Sequence, residues 1–399
     1  MNSELESRLR KDLPRLALLL VDTPVFEDPT TAPLLRRRRP MRVAVLAACL
    51  VIGVTLAIVA VTTHRDGTPP TTTNVVAAQG SWQTVARSPL GSRAGVNPVW
   101  TGTEVLVWGG NRGMLFLQDG AAYNPSTQSW RSIASNQWAF PSTISVWAGD
   151  RFVVLAKNGG ATYVPSTNTW QDLPFLPDSP SGSFLGVVWT GHDILALAQH
   201  RGSISVARYD SSTNSWVLGR AEQATISPDG AQASVAWTGT ELVYWNGTNQ
   251  GWAYTPTEQT WRTLPPTANR PGSASSLTEI DGRLVVAYPM TRGNRRLLAV
   301  AQLSARAWRT ITTIPAMHNT QPGLVAADHA VIIIDRSGQA NPIQVTPATG
   351  KHAVLNGYPL NPGNGTAAVW TNTGLFVWGG NNSATPPDGP DAAWHTPTP

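Results

Sequence analysis

The sequence predicts an all-β domain of seven similar four-stranded sheets closed into a ring, a seven-bladed β-propeller, preceded by a single membrane-spanning helix. Three observations carry that reading. A unit of about forty-five residues repeats down the C-terminal four fifths of the chain, each copy reads as four short strands, and a lone strand-like piece just before the first copy supplies what the last copy lacks.

The stretch from Val99 to Ala134 is the type copy. VWTG and EVLVWGG are apolar runs joined by a polar turn at Thr101 to Thr103, and AAYNP and SWRSI are joined by another at Pro125 to Gln128. A four-stranded sheet exposes two faces and two edges, so it needs neighbours. Degraded copies provide them. Taking Trp100, Trp147, Trp189, Trp237, Ile280, Ala327 and Trp370 as one position, the copies are spaced about 42 to 48 residues apart. A Tyr followed seven positions later by a Trp recurs at Tyr123/Trp130, Tyr163/Trp170, Tyr209/Trp216 and Tyr254/Trp261, then fades to Trp308 alone and to Val345/His352. Large rings that recur once per unit are read as packing between units.

The seventh copy stops short. Its third strand, AAWHTP, places Trp394 where the first copy has Tyr123, and no fourth strand follows. Ser81-Trp82-Gln83-Thr84-Val85-Ala86 mimics the fourth strand of the first copy, Ser129 to Ala134, and has no preceding strands of its own. The segment near Trp82 is therefore expected to complete the last blade, which removes the open edges of a linear array.

Val107-Trp108-Gly109-Gly110 with Tyr123 and Trp130, and Gly379-Gly380 in the seventh copy, make residues 81–399 resemble the kelch family of β-propellers. The Gly pair is lost or displaced in the third to sixth copies, so six or eight blades are the alternatives to seven. Among enzymes with this fold, the kelch-like copper radical oxidases need a cysteine joined to a tyrosine, and the only cysteine here, Cys49, falls in the membrane segment. Sialidase propellers carry Ser-x-Asp-x-Gly-x-x-Trp turns. The turns PSTQSW, PSTNTW, SSTNSW and PTEQTW lack their Asp and Gly.

The N-terminal elements follow in order. Residues 1–42 hold nine Lys/Arg against six Asp/Glu, or +3 of the chain's net +5. Ser3 to Glu6 has capping-box spacing, and Leu5, Leu9 and Leu13 support a short amphipathic helix ending before Pro14. This helix lies in solvent or on the membrane surface, or docks a cytoplasmic partner through residues 1–35. Arg36 to Arg39 and Arg42 directly precede Val43 to Val61, nineteen uncharged residues whose helical rise of about 28 Å matches a bilayer core. The segment 43–62 is thus expected to contact the lipid bilayer as a transmembrane helix. The basic cluster places residues 1–42 in the cytoplasm and the propeller outside. Signal-peptide cleavage and a lipobox at Leu46 to Cys49 are poorer matches, because no small-x-small site is well placed and apolar residues continue past Cys49. The Pro/Thr-rich linker 63–80 reads as an extended stalk. An exported domain without a disulfide fits a bacterial source better than a secreted eukaryotic one. Asn246, Asn364 and Asn381 match glycosylation sequons but are read as turn residues.

Chemistry is scarce. The chain has no His-Glu-x-x-His, Cys/His cluster, phosphate loop or Gly-x-Ser-x-Gly, so no metal, cofactor or catalytic set is expected. Beyond residue 42 the net charge is +2, too near neutrality for a phosphate backbone, and nucleic acid is excluded as a partner. The candidate binding residues are off-pattern side chains in connections: Trp138 and Phe140 between the first two blades, Phe175 and Phe184 between the second and third, and Arg292, Arg295 and Arg296 in the fifth, all assigned to one rim. The resulting expectation is a non-enzymatic, membrane-presented module that binds an extracytoplasmic protein or glycan. The alternative is an enzyme acting on a glycan or peptide with blade-top carboxylates such as Asp178, Asp229 or Asp281.

Overall fold

The computed structural model describes residues 76–77, 80–138, 143–157, 159–177, 183–200, 202–224, 233–268, 275–317, 322–337, 339–360, 365–379 and 392–397. The chain divides into two units, Met1–Asp66 and Gly67–Pro399, and every described residue belongs to the second. The tail at 1–42, the segment read as transmembrane at 43–62 and most of the linker at 63–80 lie outside the described residues. Among the described residues no helix is long and apolar enough to cross a membrane.

Seven antiparallel sheets of four strands each form the second unit, in the order the repeats predict. Blade 1 starts at Val99–Trp100, blade 2 at Ile144–Ala148, blade 3 at Ser183–Trp189, blade 4 at Ser234–Trp237, blade 5 at Ser276–Ile280, blade 6 at Pro322–Ala327 and blade 7 at Ala367–Trp370. These first strands neighbour one another round the whole circle, the last returning to the first. The second strands carry the most continuous apolar runs and are fully buried, as at Val105–Trp108, Leu242–Trp245 and Leu375–Trp378. One apolar cluster fills each of the seven interfaces between blades, for example Val105, Val107 and Tyr123 of blade 1 against Phe376 and Trp378 of blade 7.

Closure occurs as the repeats require. Gly80–Thr84 pairs antiparallel with Ala392–Pro397 and forms the outer strand of blade 7, with Trp82 opposite His395 and Gln83 opposite Trp394. Two additions were not legible in the repeats. Val76–Ala77, within the residues read as linker, runs parallel to His352–Val354 as a fifth strand of blade 6. Glu222–Gln223 pairs with the third strand of blade 3.

Register corrects the repeat alignment in three blades. A row of partners crosses each sheet: Trp100, Val105, Tyr123 and Trp130 in blade 1, and Trp237, Leu242, Tyr254 and Trp261 in blade 4. In blade 7 the same row is Trp370, Leu375, His395 and Trp82. His395, not Trp394, therefore stands in the Tyr position. In blades 5 and 6, Glu279 and Ala326, not Ile280 and Ala327, stand in the first Trp position. The turn chemistry explains the offset in blade 5. Blades 1, 3 and 4 place Gly102, Gly191 and Gly239 at the first turn position with positive φ, whereas blade 5 turns through Asp281 and Gly282, both at positive φ, so its Gly sits one residue later.

The recurrent tryptophans bind blade to blade. Trp130, Trp170, Trp216, Trp261 and Trp308 each donate an indole N–H to a carbonyl at the end of the preceding blade, on Ala86, Ala134, Pro174, Arg220 and Pro265, at 2.7 to 2.9 Å. Trp82 does the same to Leu355 at 3.1 Å, so the borrowed strand uses the same joint as the rest. Blade 6 has His352 in this position, buried against Thr312 of blade 5.

Candidate binding face

Antiparallel strands put all first-to-second and third-to-fourth turns at one end of the ring, here the lower face. The second-to-third turns and the connections between blades lie at the other end, the upper face.

Several charges of the lower face are paired with one another. Arg131 grips Glu104 through two hydrogen bonds of 2.9 and 2.6 Å, and Arg262 grips Glu241 in the corresponding place in blade 4 at 2.7 and 2.6 Å. Asp281 pairs with His329 at 3.0 Å. This places Asp281 in an exposed lower turn, where it cannot serve as a carboxylate on the upper face; Asp178 and Asp229 lie outside the described residues. A cleft of about 420 Å³ opens between blades 2 and 3, with Trp189 in its lining. Several of its polar groups are already engaged: Asp150 with Arg151 at 2.8 Å, Asp193 with His192 at 2.9 Å, and the Tyr209 hydroxyl with Asn214, outside the cleft, at 2.8 Å.

The upper face is built differently. Between blades 7 and 1 the segment following the borrowed strand crosses the second-to-third turn of blade 1, where Ala94 bridges Asn111. Gly110 makes the crossing possible, because a Cβ there would sit 2.5 Å from the Ala94 carbonyl, and its φ is +80°. Arg93 pins the crossing. Its buried guanidinium donates to the carbonyls of Leu90 and Gly109 and to both oxygens of Asp119, at 2.6 to 3.2 Å. That hydrogen bonding, outweighing burial, holds the Asp119 carboxyl below the usual carboxylate range.

Beyond the crossing the turn extends into a small hairpin, Asn111–Arg112 with Leu115–Phe116, which carries apolar side chains into solvent: Met114 is 96% exposed, Leu115 63% and Phe116 38%. The candidate list of the sequence missed this group. The available signal was the apolar run Met114 to Leu117 between the Gly pair and the third strand, where blade 2 has only a short turn. Trp138 and Phe175, from successive connections, do come together on this face. Their ring centroids are 5.7 Å apart, the Trp138 indole donates to Asp172 at 2.9 Å, and Gly159 leaves room for both rings, with its Cβ position only 2.4 Å from Trp138. Phe175 remains 62% exposed.

Phe184 does not join them. It lies in the first strand of blade 3, is buried, and packs on Trp216 at 5.2 Å within the interface between blades 2 and 3. Phe140 lies outside the described residues. Arg292, Arg295 and Arg296 are exposed at the tip of a long hairpin of blade 5, Arg283–Arg292 with Arg295–Ser304. Arg336, absent from the sequence candidates, occupies the second-to-third turn of blade 6. It reaches solvent, yet atoms crowd it closely enough that desolvation pushes its guanidinium below the ordinary arginine range.

Fold and site together define a seven-bladed β-propeller with several ion pairs on its lower face and an upper face that offers apolar and cationic side chains. No protein-family model and no curated protein matches the sequence. Among solved structures the chain is similar to a fungal alcohol oxidase of the AA5 family in complex with copper, with a TM-score of 0.58 and 13% identity over 80% of this chain and 76% of that one. At that identity the likeness establishes the fold alone. The described residues do not form a copper centre: among them no three His, Cys, Asp or Glu side chains come together as a metal site.

Proposed function

We propose that this chain is a kelch-type propeller that acts without catalysis. It docks an extracytoplasmic protein onto its upper face at a bacterial cell surface, and the segment 43–62 holds it at the membrane. The observation that carries the reading is the concentration of exposed large apolar side chains. Met114, Leu115, Phe116 and Phe175 all lie on the upper face of blades 1 and 2, and only Val217 and Leu218, on an outer strand, lie elsewhere among the described residues. Aliphatic Met and Leu suit a protein surface better than a sugar ring, which needs flat aromatic faces. The basic cluster before 43–62 supports the orientation with the propeller outside.

The described carboxylates argue against acid/base chemistry. Those with shifted pKa values, Asp119, Asp150 and Asp210, shift down, each chiefly through hydrogen bonds from Arg or Ser, whereas a general acid needs a raised value.

The test is site-specific photo-crosslinking on cells that express the full chain, with p-benzoylphenylalanine replacing Phe116, Phe175 or, on the lower face, Thr127. Discrete adducts of one partner at Phe116 and Phe175 and none at Thr127 are expected. Equal labelling on both faces, or labelling at Thr127 alone, overturns the reading.

A further inference from the structure

The second and third strands of blade 5 run ten residues each, against three to eight in the other blades, so this hairpin forms an arm on the upper face. At its tip Arg292 stands directly opposite Arg295, and Arg296 is opposite Thr291. Like charges facing each other across a strand pair are unfavourable, and the cost is normally offset by a nearby carboxylate. Here none offsets it: among the described residues the three guanidiniums make no ion pair or hydrogen bond. On the adjoining blade 6, Arg336 likewise makes no ion pair or side-chain hydrogen bond among the described residues. A Cβ on Gly323 would lie 2.5 Å from Ile334 Cγ1 and 3.3 Å from the Arg336 Nε, so the missing side chain makes room first for Ile334 and leaves the arginine beside it uncrowded on that side. The neighbouring carboxylate does not answer it, because Asp335 is buried and turned onto Ser337, which donates its backbone N–H and its hydroxyl at 3.0 and 2.7 Å.

We infer that the upper face of blades 5 and 6 is a carboxylate-binding sector in which Arg292, Arg295, Arg296 and Arg336 take an acidic stretch of the docked protein. The inference rests on the reading of the upper face as a docking surface for a protein. Guanidinium forks match carboxylates bidentately, and four of them in one sector give an acidic segment several simultaneous contacts. With +2 beyond residue 42, the attraction is local to this sector and not a general affinity for polyanions.

The test uses the full-length chain in a neutral detergent and fluorescein-labelled poly-L-glutamate, followed by fluorescence anisotropy, with heparin and phosphatidylglycerol vesicles as parallel probes. Poly-glutamate is expected to bind, and to bind more weakly as salt rises from 50 to 300 mM. Arg292→Gln/Arg295→Gln/Arg296→Gln should weaken it at least tenfold and Arg336→Gln at least threefold, while Arg220→Gln changes it less than twofold. The triple variant should melt no lower than the parent, since it removes like-charge opposition; Arg336→Gln provides the independent check if it does not. Unchanged poly-glutamate binding in both variants overturns the inference, as does binding of heparin or vesicles but not of poly-glutamate. If poly-glutamate fails while the crosslinks at Phe116 persist, the carboxylate sector falls and the docking face stands. If the crosslinks fail too, both fall.

Discussion

His395 and His352 show how a single position can alter the behaviour of a blade. Both occupy places held by aromatic residues in other blades, both are buried, and burial pushes both imidazoles below the ordinary histidine value. The folded chain therefore binds fewer protons than the unfolded one once the pH drops below about 6.5, the unfolded value. Stability is full above that pH and declines as pH falls toward the depressed folded values. Thermal melts should accordingly show Tm falling between pH 7.5 and 5, and His395→Phe should flatten the slope; an unchanged slope would remove the histidines from the account. At the same scale, Trp130→Phe deletes the 2.7 Å bond to Ala86 and should cost about 1–2 kcal/mol in denaturant unfolding. The tryptophans were legible as packing residues because they recur. Phe184 was not legible as a core residue, because a Phe that opens a strand and a Phe left in a connection look alike until pairing shows that Ser183 to Trp189 is one strand.

Elements were readable where their turns kept the common length. Blades 1 to 4 announce their third and fourth strands by a Tyr and a Trp seven apart, which fits a four-residue turn such as Pro125 to Gln128 between Asn124 and Ser129. Blade 5 turns through Ala305 and Arg306 alone, so its Leu303 and Trp308 are five apart and the signature vanishes although the strand pair is intact. The hairpin bearing Met114 stayed hidden for a related reason: nothing in the repeat foretells an insertion between strands. Gly110 is the residue on which that element depends. Gly110→Ala would place a Cβ against Ala94 at a φ of +80° and should destabilise by about 2 kcal/mol or more in equilibrium unfolding. Gly113→Ala, with nothing within 4 Å of its Cβ, meets only the backbone term and should cost less. Equal losses at the two glycines would contradict the crossing as the cause.

At the scale of the molecule, seven apolar clusters make every interface equivalent in kind, and closure determines whether the two faces exist as common surfaces at all. The repeats foretold the ring, the blade count and the borrowed strand, because these depend on periodicity and on one missing piece. Strand direction allowed the connection aromatics and the blade 5 arginines to be assigned to one rim, but the repeats could not foretell the hairpin bearing Met114 or the place of Arg336, since these depend on how individual turns fold. The most direct measurement is a disulfide across the closing pair. Ser81 and Thr396 are exposed partners in register, so Ser81→Cys/Thr396→Cys in a Cys49→Ser background should oxidise within one chain in high yield. The oxidised form should melt above the reduced form, with a gain of about 2–4 kcal/mol. Failure to form the intramolecular bond, or a lower Tm once it forms, would contradict a ring closed by its two ends and, with it, the shared docking face.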